Sequence, residues 1–181
     1  MENKKIKNMI SARSVALVGL MTASMTCGKL ALSFLPNIEV VTLLCALYGY
    51  VFGVYGVVAS FLFVLIEPLM YGIGSWIVTY IIYWPTVAAI FMLFKKKNIN
   101  NRIIFTLTAA ALTFAFGIIS SVVDSAFLLG INEYYPKNLL IYYIRGIVFY
   151  TVHLVSNVVI FLTAYPFLSQ KLELVRRSKN L

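Results

Sequence analysis

Residues 40–66 read VVTLLCALYGYVFGVYGVVASFLFVLI, 27 positions without a charge. A helix that crosses a bilayer needs about 20 apolar residues, so this stretch is long for one span and short for two. Outward from it, the other apolar runs are plain. Residues 12–34 form a first span that ends before Pro36, because the residue preceding a proline is pushed away from helical geometry. Residues 76–94 form another, stopped by Lys95, Lys96 and Lys97, and residues 103–130 and 139–167 complete the set.

Charge decides between the two readings of 40–66. As one tilted helix it gives five spans and places the N-terminal and C-terminal basic clusters on opposite sides. A break near Gly53-Val54-Tyr55-Gly56 gives six spans, about 12–34, 39–53, 55–72, 76–94, 103–130 and 139–167. Lys4, Lys5, Lys7 and Arg13 then share a side with Lys95, Lys96, Lys97 and Arg102, and with Lys171, Arg176, Arg177 and Lys179, which together are 12 of the 15 basic residues. Basic residues concentrate in cytoplasmic loops. The expected fold is therefore all-α: one polytopic membrane domain over residues 1–181, a six-helix bundle with both termini cytoplasmic. Its weak element is the second span, about 15 residues and about 22 Å long, which needs shelter from its neighbours or a thinned bilayer.

Composition agrees. The chain is 61% hydrophobic and 12% charged, against about 25% charged in an average soluble domain. The net charge of +9 lies mostly beside apolar runs, where it sets topology and attracts anionic lipid, and no nucleic-acid partner is expected. Cys27 and Cys45 sit inside apolar runs with no CxxC and no His/Cys cluster, so free thiols are expected and a metal site is not. There is no GxxxxGK[ST], HExxH or GxSxG, so ATP hydrolysis, zinc proteolysis and serine hydrolysis have no motif. No cofactor and no enzymatic activity are expected.

Lys29, Glu67, Asp124 and Arg145 are the ionisable residues within the spans. Each is costly in hydrocarbon. All four fall five or six residues from the same, outer ends of four helices, a depth of about 7–9 Å. One reading is a water-accessible pocket opening outward, with Arg145 and Asp124 as its leading pair. The other is two structural ion pairs, or basic side chains reaching to headgroups. His153 and Asn157 lie four apart on one helix face, as site residues or as a hydrogen-bonded core. The loop Leu35-Pro36-Asn37-Ile38-Glu39 is either a lid or a turn. Trp76, Tyr80 and Trp84 recur every four residues, as a stacking wall or as interfacial belt and core. The candidate site residues are Lys29, Asn37, Glu39, Glu67, Trp76, Tyr80, Asp124, Arg145, His153 and Asn157. In the first span Ala12 and Ala16, and Gly19 and Ala23, are small residues spaced by four, which lets another helix approach closely.

The chain resembles the substrate-binding S components of energy-coupling factor transporters. Ala12-Arg-Ser-Val-Ala16-Leu-Val-Gly-Leu is similar to that family's first helix with its AxxxA motif. Leu35-Pro36-Asn37-Ile38-Glu39-Val-Val, followed by Tyr48-Gly-Tyr-Val-Phe52-Gly53, resembles its first loop and second helix. Tyr142-Tyr-Ile-Arg-Gly146-Ile-Val-Phe-Tyr-Thr-Val-His153-Leu-Val-Ser-Asn157 resembles its sixth helix in some members, with the loop and His153 nearest the branch around cobalamin-type and uncharacterised members. The resemblance implies a multi-pass protein of a prokaryotic plasma membrane that captures a vitamin or similar micronutrient from outside. It implies docking through Ala12 and Ala16 onto a membrane T component driven by two ATPase subunits. Arg13 departs from the motif, and Gly19 and Ala23 are the alternative docking pair. Substrate identity does not carry over. Two other classes compete: an autonomous secondary transporter using Asp124 and Glu67 as proton carriers, and a small lipid-directed membrane enzyme. The enzyme would need a carboxylate or His cluster at the cytoplasmic interface.

Overall fold

The computed structural model describes residues 11–178, and Lys4, Lys5, Lys7 and Lys179 of the basic clusters lie outside them. The described residues form six helices: α1 (Ala12–Ala31), α2 (Val41–Phe52), α3 (Val54–Tyr71), α4 (Trp76–Lys96), α5 (Arg102–Leu129) and α6 (Tyr135–Ser178). All but α2 are long and apolar enough to cross a membrane, which fits a multi-pass membrane protein.

The uncharged stretch 40–66 folds as two helices. Gly53 separates them at φ +61°, a left-handed conformation that a Cβ disfavours. Glu39 starts α2 by accepting from the Thr42 amide at 2.9 Å, one of the first-turn N–H groups that has no partner inside the helix. Ser11 caps α1 in the same way, accepting from the Ser14 amide at 3.1 Å. Asn101 caps α5, accepting from the Ile103 amide at 2.8 Å.

Helix α2 is the centre of the bundle. It packs against α1, α3, α4 and α6, and ten of its 12 residues are buried. A Cβ on Gly49 would strike the Ala88 backbone, so glycine sets the close approach of α2 to α4. Twelve residues span about 18 Å, well short of a hydrocarbon core of about 30 Å. Its neighbours supply the shelter that such a short helix needs.

Two ends of the bundle matter below. The loop end carries the connections 32–40, 72–75 and 130–134. The basic end carries the 97–101 connection and the last turns of α6. Between them runs an aromatic core, in which Phe105 and Tyr165 lie 5.1 Å apart and Phe161 and Tyr165 stack at 5.2 Å.

The helix ends differ from the sequence-derived spans most in the first and last helices, the last of which starts at Tyr135 rather than 139. The first helix stops at Ala31, and residues 32–40 form the connection to α2. The last helix runs 44 residues, through Ser178 rather than 167, a rod of about 66 Å. Pro166 lies inside it. The apolar run ends near 167, but a helical stripe continues: Leu168 and Leu172 still pack on the core, and Glu173 pairs with Lys95 of α4. Hydropathy falls there while the periodicity of 3.6 persists.

Candidate functional site

A cavity of about 270 Å³ opens at the loop end. The α1–α2 connection roofs it with Leu35, Pro36, Asn37 and Glu39. Lys29 of α1, Tyr71 of α3, Tyr80 and Trp84 of α4, Phe116 of α5, and Phe149 and His153 of α6 form its walls. Five helices and one loop therefore meet at one concavity with an aromatic wall and few polar groups, the usual make-up of a small-molecule site.

Glu39 is the polar centre. Its Oε1 accepts from Thr42 Oγ1 at 2.5 Å and from Asn157 Nδ2 at 3.5 Å. His153 Nε2 lies 3.0 Å from the same oxygen and is the donor when Glu39 is a carboxylate. Asn157 Nδ2 also donates to Thr113 Oγ1 at 3.0 Å. The Tyr83 hydroxyl lies 3.4 Å from both Thr113 Oγ1 and Thr42 Oγ1, closing a polar ring. One loop carboxylate is thus tied to α2 and α6 directly and to α4 and α5 through the ring. His153 is held edge-on to Phe116, ring centres 5.3 Å apart.

The second polar feature is an ion pair. Lys29 and Glu67 pair across α1 and α3, and Glu67 is 1% exposed while Lys29 is 25% exposed. The Lys29 ammonium also faces the rings of Tyr71 at 4.5 Å and Tyr80 at 5.0 Å, within cation–π range. Two further polar atoms on cavity-lining residues, Trp84 Nε1 and His153 Nδ1, are buried without a hydrogen-bond partner among the described residues. The indole N–H is a donor, and the imidazole nitrogen left bare by a proton on Nε2 is an acceptor.

The sequence-derived candidates separate into three groups. Lys29, Asn37, Glu39, Tyr80 and His153 line the cavity. Glu67, Asn157 and Trp76 stand behind them: Glu67 holds Lys29, Asn157 holds Glu39, and Trp76 packs on Tyr80 with ring centres 5.1 Å apart. Asp124 and Arg145, expected to lead the site, are not brought together. Asp124 accepts from Ser75 Oγ at 2.6 Å and from Ser120 Oγ at 3.3 Å. Arg145 is exposed on α6 and forms no ion pair among the described residues. Eight residues separate it from His153, and over that distance a face repeating every four residues drifts by roughly 80°. Equal depth therefore did not place it on the cavity side.

Sequence reasoning did not assign Tyr71, Phe116 or Phe149 to the site, nor the Thr42–Tyr83–Thr113 ring. Trp84 was visible as the third member of the Trp76/Tyr80 series. Thr42 and Thr113 carried a faint signal as hydroxyls inside apolar helices. The small residues Ala12, Ala16, Gly19 and Ala23 are all exposed and fall within an arc of roughly 60° on α1. Among the described residues no group of three His, Cys, Asp or Glu side chains is placed to hold a metal ion. Compared with protein-family models, curated proteins and solved structures, the chain matches none.

Proposed function

We propose that the chain is the substrate-capturing membrane subunit of an uptake transporter of the energy-coupling factor type. In this reading it has six spans and cytoplasmic termini in a prokaryotic plasma membrane, and it takes a vitamin-like micronutrient from outside. The observation that carries it is the loop-end cavity, roofed by the α1–α2 connection and fastened through Glu39 to His153 and Asn157. A roof held by one buried polar ring suits a site that encloses its ligand. The exposed small-residue face of α1 supports docking on a T component, and ATP hydrolysis belongs to the two partner ATPases.

The test is purification of the tagged chain from its native membranes, with mass spectrometry of both co-purifying proteins and bound small molecules. A T component, two ATPases and a stoichiometric small molecule are the expected finding. Ligand uptake that persists after deletion of every ATPase partner sinks the proposal and favours an autonomous carrier.

Two further outcomes are expected. Asn98→Cys, in a chain with Cys27 and Cys45 replaced by alanine, resists an impermeant thiol reagent in intact cells, because positive loops face the cytoplasm. Ready labelling there revives the five-span arrangement. Ala16→Trp lowers uptake at least about tenfold while the isolated chain binds its ligand normally, since a bulky ring keeps a partner helix from close approach. Unchanged uptake moves docking away from this face.

A further inference from the structure

A second cavity, about 300 Å³, lies at the basic end, on the far side of the bundle from the site above. It forms where the 97–101 connection, the first turn of α5 and the last turns of α6 meet. Lys95, Arg102 and Arg177 line it against one carboxylate, Glu173. Glu173 is shared: it pairs with Lys95 and sits 3.6 Å from Arg177. Arg102 is exposed, and its guanidinium has no ion-pair partner among the described residues. Asn100 and Gln170 add amide donors to the same walls. Tyr165, 1% exposed, forms part of the inner wall, and its buried hydroxyl has no hydrogen-bond partner among the described residues.

This lining is rich in donors and in positive charge, and its cations come from three separate elements. A tetrahedral oxyanion presents several oxygens in different directions and suits such a set; guanidinium forks in particular match phosphate. Lys95 is already oriented, held over the Tyr50 ring at 4.8 Å, and Tyr50 is fixed by donating to the Ile99 carbonyl at 3.2 Å. The cavity also sits where α4 ends in Lys95 and Lys96 and α5 begins at Arg102, at the level of headgroups in any arrangement that crosses a bilayer.

We propose that the basic-end cavity is a binding site for a phosphate-bearing anion, with Arg102 and Arg177 as the recognising groups and Glu173 positioning Lys95 and Arg177 around it. The phosphate comes either from an anionic lipid headgroup or from a soluble phosphate compound, and the site stands independently of the transport reading.

The experiment uses the full chain purified in neutral detergent. Phosphatidylglycerol and inorganic phosphate are titrated separately, with native mass spectrometry reading the bound adduct. Arg102→Gln/Arg177→Gln is compared with Lys96→Gln/Lys97→Gln, which removes equal charge beside the cavity without touching its lining. Each interfacial cation contributes about fivefold in affinity, so the arginine pair is expected to weaken the adduct by about 25-fold. The lysine pair lies outside the cavity lining and offers the anion only a screened, long-range attraction, so its effect is expected to stay well below that of the arginine pair. Arg102→Lys keeps the charge but loses the fork, so its binding falls between wild type and Arg102→Gln. Both arginines are exposed, so thermal melting of the variants stays at the wild-type value. Phosphatidylglycerol binding with this arginine dependence supports a lipid source. Phosphate binding with the same dependence, and none by the lipid, supports a soluble source. Absence of both adducts, or equal weakening by the lysine pair, overturns the proposal.

Discussion

Glu39→Ala is expected to loosen the roof of the loop-end cavity and to lower ligand affinity at least about tenfold, the largest binding effect of any single substitution in the chain. The alanine removes the acceptor for four hydrogen-bonding groups: the Thr42 amide and hydroxyl, His153 and Asn157. His153 is 3% exposed and Asn157 is fully buried, so neither gains water in exchange. An unsatisfied buried donor costs about 1–3 kcal/mol, which puts the combined loss at roughly 2–6 kcal/mol for the two α6 donors. Glu39→Gln keeps one oxygen for His153 but turns an N–H toward other donors, and it should fall between wild type and alanine. Hydrogen exchange gives a direct check. The amides of residues 32–40 should exchange faster in Glu39→Ala while those in the middle of α5 do not. Unchanged exchange in 32–40 would mean that the roof is held by something other than Glu39.

Lys29→Met is expected to destabilise the site by about 3–5 kcal/mol, because it strands a buried carboxylate without its countercharge. The pair is asymmetric. Glu67 is 1% exposed and has nowhere to go, whereas Lys29 is 25% exposed and carries a long apolar stem. Glu67→Gln should therefore cost less, since the ammonium swings toward water and keeps its contacts with Tyr71 and Tyr80. The double variant Lys29→Met/Glu67→Gln should recover most of the stability lost in Lys29→Met. Thermal denaturation of the three variants in one detergent decides it. Equal losses in the two single variants, with additive loss in the double, would show that the two charges do not depend on one another.

What the sequence made legible follows from what a linear pattern encodes. Runs of apolar residues and the charges that punctuate them report depth along the membrane normal. The break at Gly53, the span over 103–130 (102–129 in the structure) and the common depth of Lys29 and Glu67 are all of this kind. Position around the bundle is not encoded in that way. Asp124 and Arg145 read from the span ends at the depth of Lys29 and Glu67, yet Asp124 turns to Ser75 and Ser120 while Arg145 is exposed and stands ten residues inside its helix. The stripe His153, Asn157, Phe161 and Tyr165, buried on α6, could be read at four-residue spacing only at its first two members, because the aromatic ones do not stand out in so apolar a helix. The Glu39 network joins residues more than a hundred positions apart, with His153 and Asn157 from the far end of the chain. Only the packed helices bring those partners together. The extension of α6 past 167 is hidden for another reason: hydropathy falls there while the amphipathic face of the helix continues to Leu172.

The shortness and central position of α2 bear on how the protein is made. A segment of 12 residues, about 18 Å long, is too short to settle alone in a hydrocarbon layer of about 30 Å. It must enter beside α3 as a hairpin turned at Gly53 and wait there, because two of the helices that enclose it, α4 and α6, emerge from the ribosome later. Glu39 waits longest, since the His153 and Asn157 that hold it lie on the last helix to be synthesised. During that interval the Glu39 carboxylate lacks His153 and Asn157, and a largely apolar helix lacks the cover of α4 and α6.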